Sequence, residues 1–256
     1  MTPNFDRVAK LYNSSLLPLP EEYCRLIQTR FALSENDKVI DLGCGTGLLT
    51  MGLSRFSKHI EGIDESRKMI EIAQDLDKDK IIKWIYGSVE DFDFGCENYS
   101  LIISYESFHL FDNTDELVKR CTKGLLPGGY LCVGWCFYQW EEILRDIIID
   151  TFKSFGIKWG KWSFQRSIDF FSAVEYANKY LSPVVEDIIE VQTKTNIRNI
   201  ALYLGSIEKS AALETDARDA LINELERTFR KLLSSEWVDG ITSYSLAYTR
   251  KYGVNP

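Results

Sequence analysis

Gly43, Gly45 and Gly47 alternate with other residues in the segment Val39-Ile40-Asp41-Leu42-Gly43-Cys44-Gly45-Thr46-Gly47. Glycines so spaced allow a tight turn and let a ligand approach the backbone closely. Where such a turn opens a helix, the exposed N–H groups favour an anionic ligand group. The dinucleotide fingerprint G-x-G-x-x-G fails, because Leu48 stands at its third glycine. Asp41, just before the glycines, would orient a ligand electrostatically. Further on, Asp64 offers a carboxylate that accepts two hydrogen bonds, enough to hold both hydroxyls of a ribose. The alternative is an acid favoured by the dipole of the next helix, a role Glu65 would fill equally well. His109 is the candidate base, and its alternative is a structural histidine at a sheet edge.

The elements that must position these residues follow from periodicity. Residues 21–33 read as a helix, with Tyr23, Leu26, Ile27 and Phe31 on helical spacing. Lys38 to Leu42 reads as a strand running into the glycine turn, followed by a helix through Leu48, Leu49, Leu53 and Phe56. His59 to Asp64 is a second strand. Ser66 caps the helix carrying Met69, Ile70, Ile72 and Ala73. Strands are expected over Ile81 to Tyr86 and Tyr99 to Ser104, and a helix over 114–125. Pro127-Gly128-Gly129 should turn the chain into a fifth strand, Tyr130 to Trp135. Such alternation predicts a parallel sheet covered on both faces. Residues 137–183 read as two aromatic-rich helices. Val184 to Thr193 reads as a strand, 198–212 and 216–233 as helices, and Ile241 to Arg250 as a last strand. The expected organisation is a core with an N-terminal cover segment over 1–136, a helical lid over 137–183, and completion of the core over 184–256.

Composition narrows the function. The 256 residues are 45% hydrophobic and 27% charged, as in an ordinary soluble globular protein. The net charge of −8, with no long Lys/Arg run, disfavours a nucleic-acid partner. The six cysteines form no CxxC pair and only two histidines are present, so no metal site is expected. With no secretory leader and no apolar stretch long enough to span a membrane, the expectation is a reduced, cytoplasmic protein. The aromatic stretch 135–171 is either the core of the lid helices or the lining of an apolar substrate pocket. Lys158, Lys161 and Arg166 within it would fix a carboxylate or form a solvated basic face.

Asp41-Leu42-Gly43-Cys44-Gly45-Thr46-Gly47 after a strand resembles motif I of class I S-adenosylmethionine-dependent methyltransferases. The resemblance implies a Rossmann-like α/β fold with a mostly parallel seven-stranded sheet, S-adenosylmethionine as donor and S-adenosylhomocysteine as product. It implies that Gly43, Cys44, Gly45 and Asp41 hold the methionine end and that Asp64, with Glu65 beside it, holds the ribose. Met69 matches the apolar residue that packs on adenine, with a plain core methionine as the alternative. Gly87-Ser88-Val89-Glu90-Asp91-Phe92 resembles the adenine-binding turn, although many relatives carry Asp where Ser88 stands. The Val89 N–H would serve the ring.

Ser104-Tyr105-Glu106-Ser107-Phe108-His109 resembles a segment of small-molecule methyltransferases, including the trans-aconitate type, with Leu110 in place of a tryptophan. In open α/β sheets ligands bind outside the carboxyl ends of strands, so this loop and Ser104 should face the methyl donor. Phe5-Asp6-Arg7-Val8-Ala9-x-x-Tyr12 looks like that group's leading segment, in which Tyr12 contacts the methionine part. The alternative is an ordinary amphipathic helix. The resemblance covers residues 1–136 well and the remainder poorly. It implies a small-molecule acceptor, with a carboxylic acid favoured. Protein or RNA methylation, or a non-catalytic S-adenosylmethionine-binding subunit, are the other readings. Oligomeric state is left open.

Overall fold

The computed structural model describes residues 5–158, 170–175 and 180–253. Seven strands form one sheet in the order β3-β2-β1-β4-β5-β7-β6. They are β1 (Lys38–Leu42), β2 (His59–Asp64), β3 (Lys83–Tyr86), β4 (Tyr99–Tyr105), β5 (Leu125–Tyr138), β6 (Val185–Asn196) and β7 (Trp237–Arg250). β1 pairs in parallel with β2 and β4, β2 with β3, and β4 with β5. β7 runs the other way. Lys251, just past its end, exchanges backbone bonds with Gly128 and Gly129. Thr242 near its start meets Thr193 at 2.9 Å, whereas Arg250 at its end meets Ser182. The sheet is therefore mixed, mostly parallel with β7 reversed.

The chain divides into two compact units. One comprises 19–136, 162–189 and 244–256. Its core is Ile40, Leu42, Ile63, Ile102, Leu131 and Val133 from the strands with Phe94, Leu117 and Val118, all buried. Continuous apolar runs such as Leu101-Ile102-Ile103 suit parallel strands covered on both faces. Each such side chain contributes about 1.5–3 kcal/mol on burial. Its helices include α2 (Glu21–Arg30), α3 (Leu48–Leu53), α4 (Arg67–Leu76) and α5 (Thr114–Gly124).

The other unit comprises 1–18, 137–161 and 190–243. Here the helices Ile197–Ser206 and Thr215–Leu232 bury Ile200, Ala201 and Leu204 and Leu221, Ile222, Leu225 and Phe229. Gly205 makes the close approach possible: a Cβ there would lie 2.4 Å from Ile222 Cγ1. Helix α1 (Ala9–Ser15) and the helices Gln139–Ile143 and Arg145–Ser154 belong to the same unit.

Two boundaries differ for visible reasons. The expected third strand loses its first two residues, because the Asp77 carboxylate takes the amides of Ile81 and Ile82. The expected turn at Pro127-Gly128-Gly129 lies inside β5: Leu125 pairs with Tyr99 and Tyr130 with Leu101, so the intervening residues form an irregularity within the strand.

Candidate donor-binding site

The glycine turn sits between β1 and α3. Gly43 has φ +66° and Gly47, at the N-terminus of α3, has φ +87°. A side chain is excluded at both. A Cβ on Gly43 would lie 2.6 Å from Ser107 Cβ, and one on Gly47 would lie 2.4 Å from Trp84 Cη2. The turn is fixed by Cys44 N–H donating to Ile63 O (3.0 Å) and Gly47 N–H donating to Cys44 O (2.9 Å).

Ser107, after β4, closes the turn from the other side. Its Oγ donates to Leu42 O at 2.7 Å and shares a 2.7 Å hydrogen bond with Ser104 Oγ. Both serines are buried. Ser104 therefore acts within a clasp joining the carboxyl ends of β1 and β4.

Asp64 ends β2. Its Oδ2 accepts Gly45 N–H at 2.9 Å and its Oδ1 accepts Ser66 N–H at 2.8 Å. Its backbone oxygen accepts Gly87 N–H at 3.0 Å. One residue thus joins the glycine turn, the start of α4 and the 87–92 turn. Each oxygen of a carboxylate carries two acceptor positions, so a side chain used this way can also receive vicinal hydroxyls.

Asp41 is 2% exposed. Thr50 Oγ1 donates to its Oδ2 at 2.6 Å, and its Oδ1 is buried with no hydrogen-bond partner among the described residues. Burial pushes its carboxyl up to about 7, and the negative charge of Asp64 adds to the effect. A buried acceptor without a partner is costly. A cationic hydrogen-bond donor such as an ammonium would relieve that cost, and S-adenosylmethionine carries one on its methionine end. The residues present therefore fit that donor.

The remaining predicted residues divide. Cys44 is buried and its thiol is pushed far up by burial, which removes it as a nucleophile. Met69 and Val89 are buried. Ser88 Oγ donates to Glu90 Oε2 at 2.7 Å and accepts Glu90 N–H at 3.1 Å, so serine completes the turn by bonding within it. Glu90 Oε1 accepts Asp112 N–H at 3.2 Å. Partial desolvation and the nearby Glu90 and Asp112 carboxylates hold Glu65 above its ordinary value. His109 is half-buried in the 3₁₀ turn Phe108–Leu110, which Leu110 N–H ties to Ser107 O at 2.8 Å. Tyr12 lies on α1 in the other unit and is half-buried. Lys158 is exposed, whereas Lys161 and Arg166 lie outside the described residues.

Three contributors escaped the sequence reading. Thr50 stands one turn into α3 and aims at Asp41. Ser107 follows Ser104 by three positions, a spacing that puts two hydroxyls on one turn. Trp84 sits on a strand and covers the glycine turn only through the fold.

The sheet order and the glycine turn with an acid at the end of β2 define the class I methyltransferase fold. Residues 40–133 match the family model described as a methyltransferase domain. The chain is 26% identical over 102 residues to the uncharacterized methyltransferase YdaC of Bacillus subtilis, covering 39% of this chain and 56% of that one. It is 30% identical over 114 residues to ubiquinone biosynthesis O-methyltransferase of Bradyrhizobium diazoefficiens, covering 43% and 44%. It spans about half the length of these curated relatives. Haemonchus contortus phosphoethanolamine N-methyltransferase 2, solved with phosphomonomethylethanolamine and S-adenosylhomocysteine, shares the fold. The TM-score is 0.56 at 16% identity, covering 96% of this chain and 57% of that one. No helix among the described residues is long and apolar enough to cross a membrane.

Proposed function

We propose that the chain is a methyltransferase that takes its methyl group from S-adenosylmethionine and passes it to a small molecule. The observation that carries this reading is the buried, partnerless Asp41 Oδ1 beneath a glycine turn whose Gly45 amide is bound by Asp64. The match of residues 40–133 to the methyltransferase domain model supports it. The named activities of the relatives, O-methylation in ubiquinone biosynthesis and N-methylation of phosphoethanolamine, support a small acceptor.

The donor supplies a sulfonium methyl already activated by its positive charge. The protein's task is to position and desolvate the partners. Asp41 receives the ammonium, Gly43 and Gly45 leave room at the backbone, and Asp64 receives the ribose hydroxyls. The 88–90 turn and Met69 take the adenine. An ionised carboxylate acceptor needs no base, whereas a hydroxyl or protonated amine needs His109 to take its proton. The resemblance to the trans-aconitate type favours the carboxylate. Residues 159–169 and 176–179 of the expected lid lie outside the described residues. Donor consumption screened over small acids, phenols and amines tests the whole. Turnover on any one of them supports the reading. Tight donor binding with no turnover favours a non-catalytic subunit.

A further inference from the structure

The 88–92 turn receives most of its outside support from one side chain. Arg120, on α5, donates from Nη1 to Glu90 O at 2.6 Å and from Nη2 to Val89 O at 3.3 Å and to Phe92 O. Its guanidinium also lies over the Phe94 ring, 5.4 Å from the centroid. Three carbonyls on a four-residue stretch are therefore gathered on one planar group. Holding these carbonyls fixes the 89–90, 90–91 and 92–93 peptide planes, and so the path of the turn that carries the Val89 N–H. The Val89 carbonyl is additionally tied by Phe92 N–H at 3.3 Å. The turn has few other fixed points: Ser88 and Glu90 bond to each other, and Glu90 reaches Asp112.

We propose that Arg120 is a positioning residue for adenine recognition, setting the backbone of the 88–92 turn so that it discriminates the base of the donor. This rests on the reading of that turn as the adenine site. A lysine cannot replace it fully, because a single ammonium lacks the planar fork that spans several acceptors. The effect is expected on base selectivity and not only on stability, since Arg120 reaches the ligand through the turn it holds.

The test compares S-adenosylhomocysteine with S-inosylhomocysteine, which differs only at the base, by calorimetry on the whole chain. Wild type should prefer the adenine ligand. Arg120→Met should weaken S-adenosylhomocysteine about tenfold, the worth of one or two hydrogen bonds. It should leave S-inosylhomocysteine much less affected, so that the preference collapses. Arg120→Lys, which keeps the charge and is the safer variant for folding, should fall between the two. A merely structural arginine would lower the thermal midpoint and weaken both ligands equally. An unchanged preference in a folded Arg120→Lys or Arg120→Met protein overturns the inference and leaves the donor site standing. Failure of wild type to bind either ligand overturns the inference together with the reading on which it rests.

Discussion

The carboxylate of Asp64 accepts the backbone N–H of Gly45 at 2.9 Å, so the acid proposed to receive the ribose also holds the glycine turn. Its second oxygen holds Ser66 N–H, at the cap of α4. Asp64→Ala should weaken S-adenosylhomocysteine by about 1.5–3 kcal/mol, the worth of charge-assisted hydrogen bonds. The thermal midpoint should fall as well, because two amides lose their acceptor. An unchanged dissociation constant would show that another residue holds the ribose.

At the proposed site, Asp41 should make donor binding depend on pH. Its carboxyl in the folded protein is raised to about 7 by burial. The sign follows from linkage: stability from the neutral form is fully present below the unfolded value of about 3.9 and is lost as pH rises through about 7. An arriving ammonium favours the ionised form, so binding at neutral pH should release a proton. Affinity should rise with pH up to about 7 and then level off. Calorimetry in buffers of different ionisation enthalpy reads this directly. Asp41→Asn should abolish the dependence, and a flat profile for wild type would remove Asp41 from the site.

Gly43 and Ser107 should couple. Gly43→Ala brings a Cβ against Ser107 Cβ at a positive φ. The backbone part alone costs about 1–2 kcal/mol. Ser107→Gly removes the opposing atom but also the bond to Leu42 O. The double variant should therefore be less destabilised than the sum of the two singles in chemical denaturation. Strict additivity would mean that the two residues do not press on each other.

His109 divides the acceptor classes. With a hydroxyl or amine acceptor, His109→Ala should lower turnover about 10²–10⁴-fold with donor affinity intact, and should erase the rising limb of the pH–rate profile. With a carboxylate acceptor, which the resemblance to the trans-aconitate type favours, the change should cost little. A large defect accompanied by loss of the limb would reverse that choice.

Much of the local geometry around the proposed donor site is readable from residue order. The glycine turn, Asp64 at a strand end and the Ser66 cap depend on local spacing, and each stands where the sequence placed it. The partners of those residues were not readable. Ser107 meets Leu42 and Trp84 covers Gly47 only when non-adjacent strands come together. β5 was underestimated because Pro127 and Gly128 are turn formers, yet they lie within a strand where pairing with β4 resumes beyond them. The reversal of β7 has no local signature, since an apolar strand reads alike in either direction.

The proposed function requires this chain to bind an S-adenosyl donor at Asp41, Gly45 and Asp64. Titration of the whole protein with S-adenosylhomocysteine, with NAD as comparison, tests it most directly. One saturable site per chain is expected for the sulfur ligand and much weaker binding of NAD, because the glycine spacing departs from the dinucleotide pattern. Absence of binding of both S-adenosylhomocysteine and S-adenosylmethionine at millimolar concentration, or tighter binding of NAD, would contradict it.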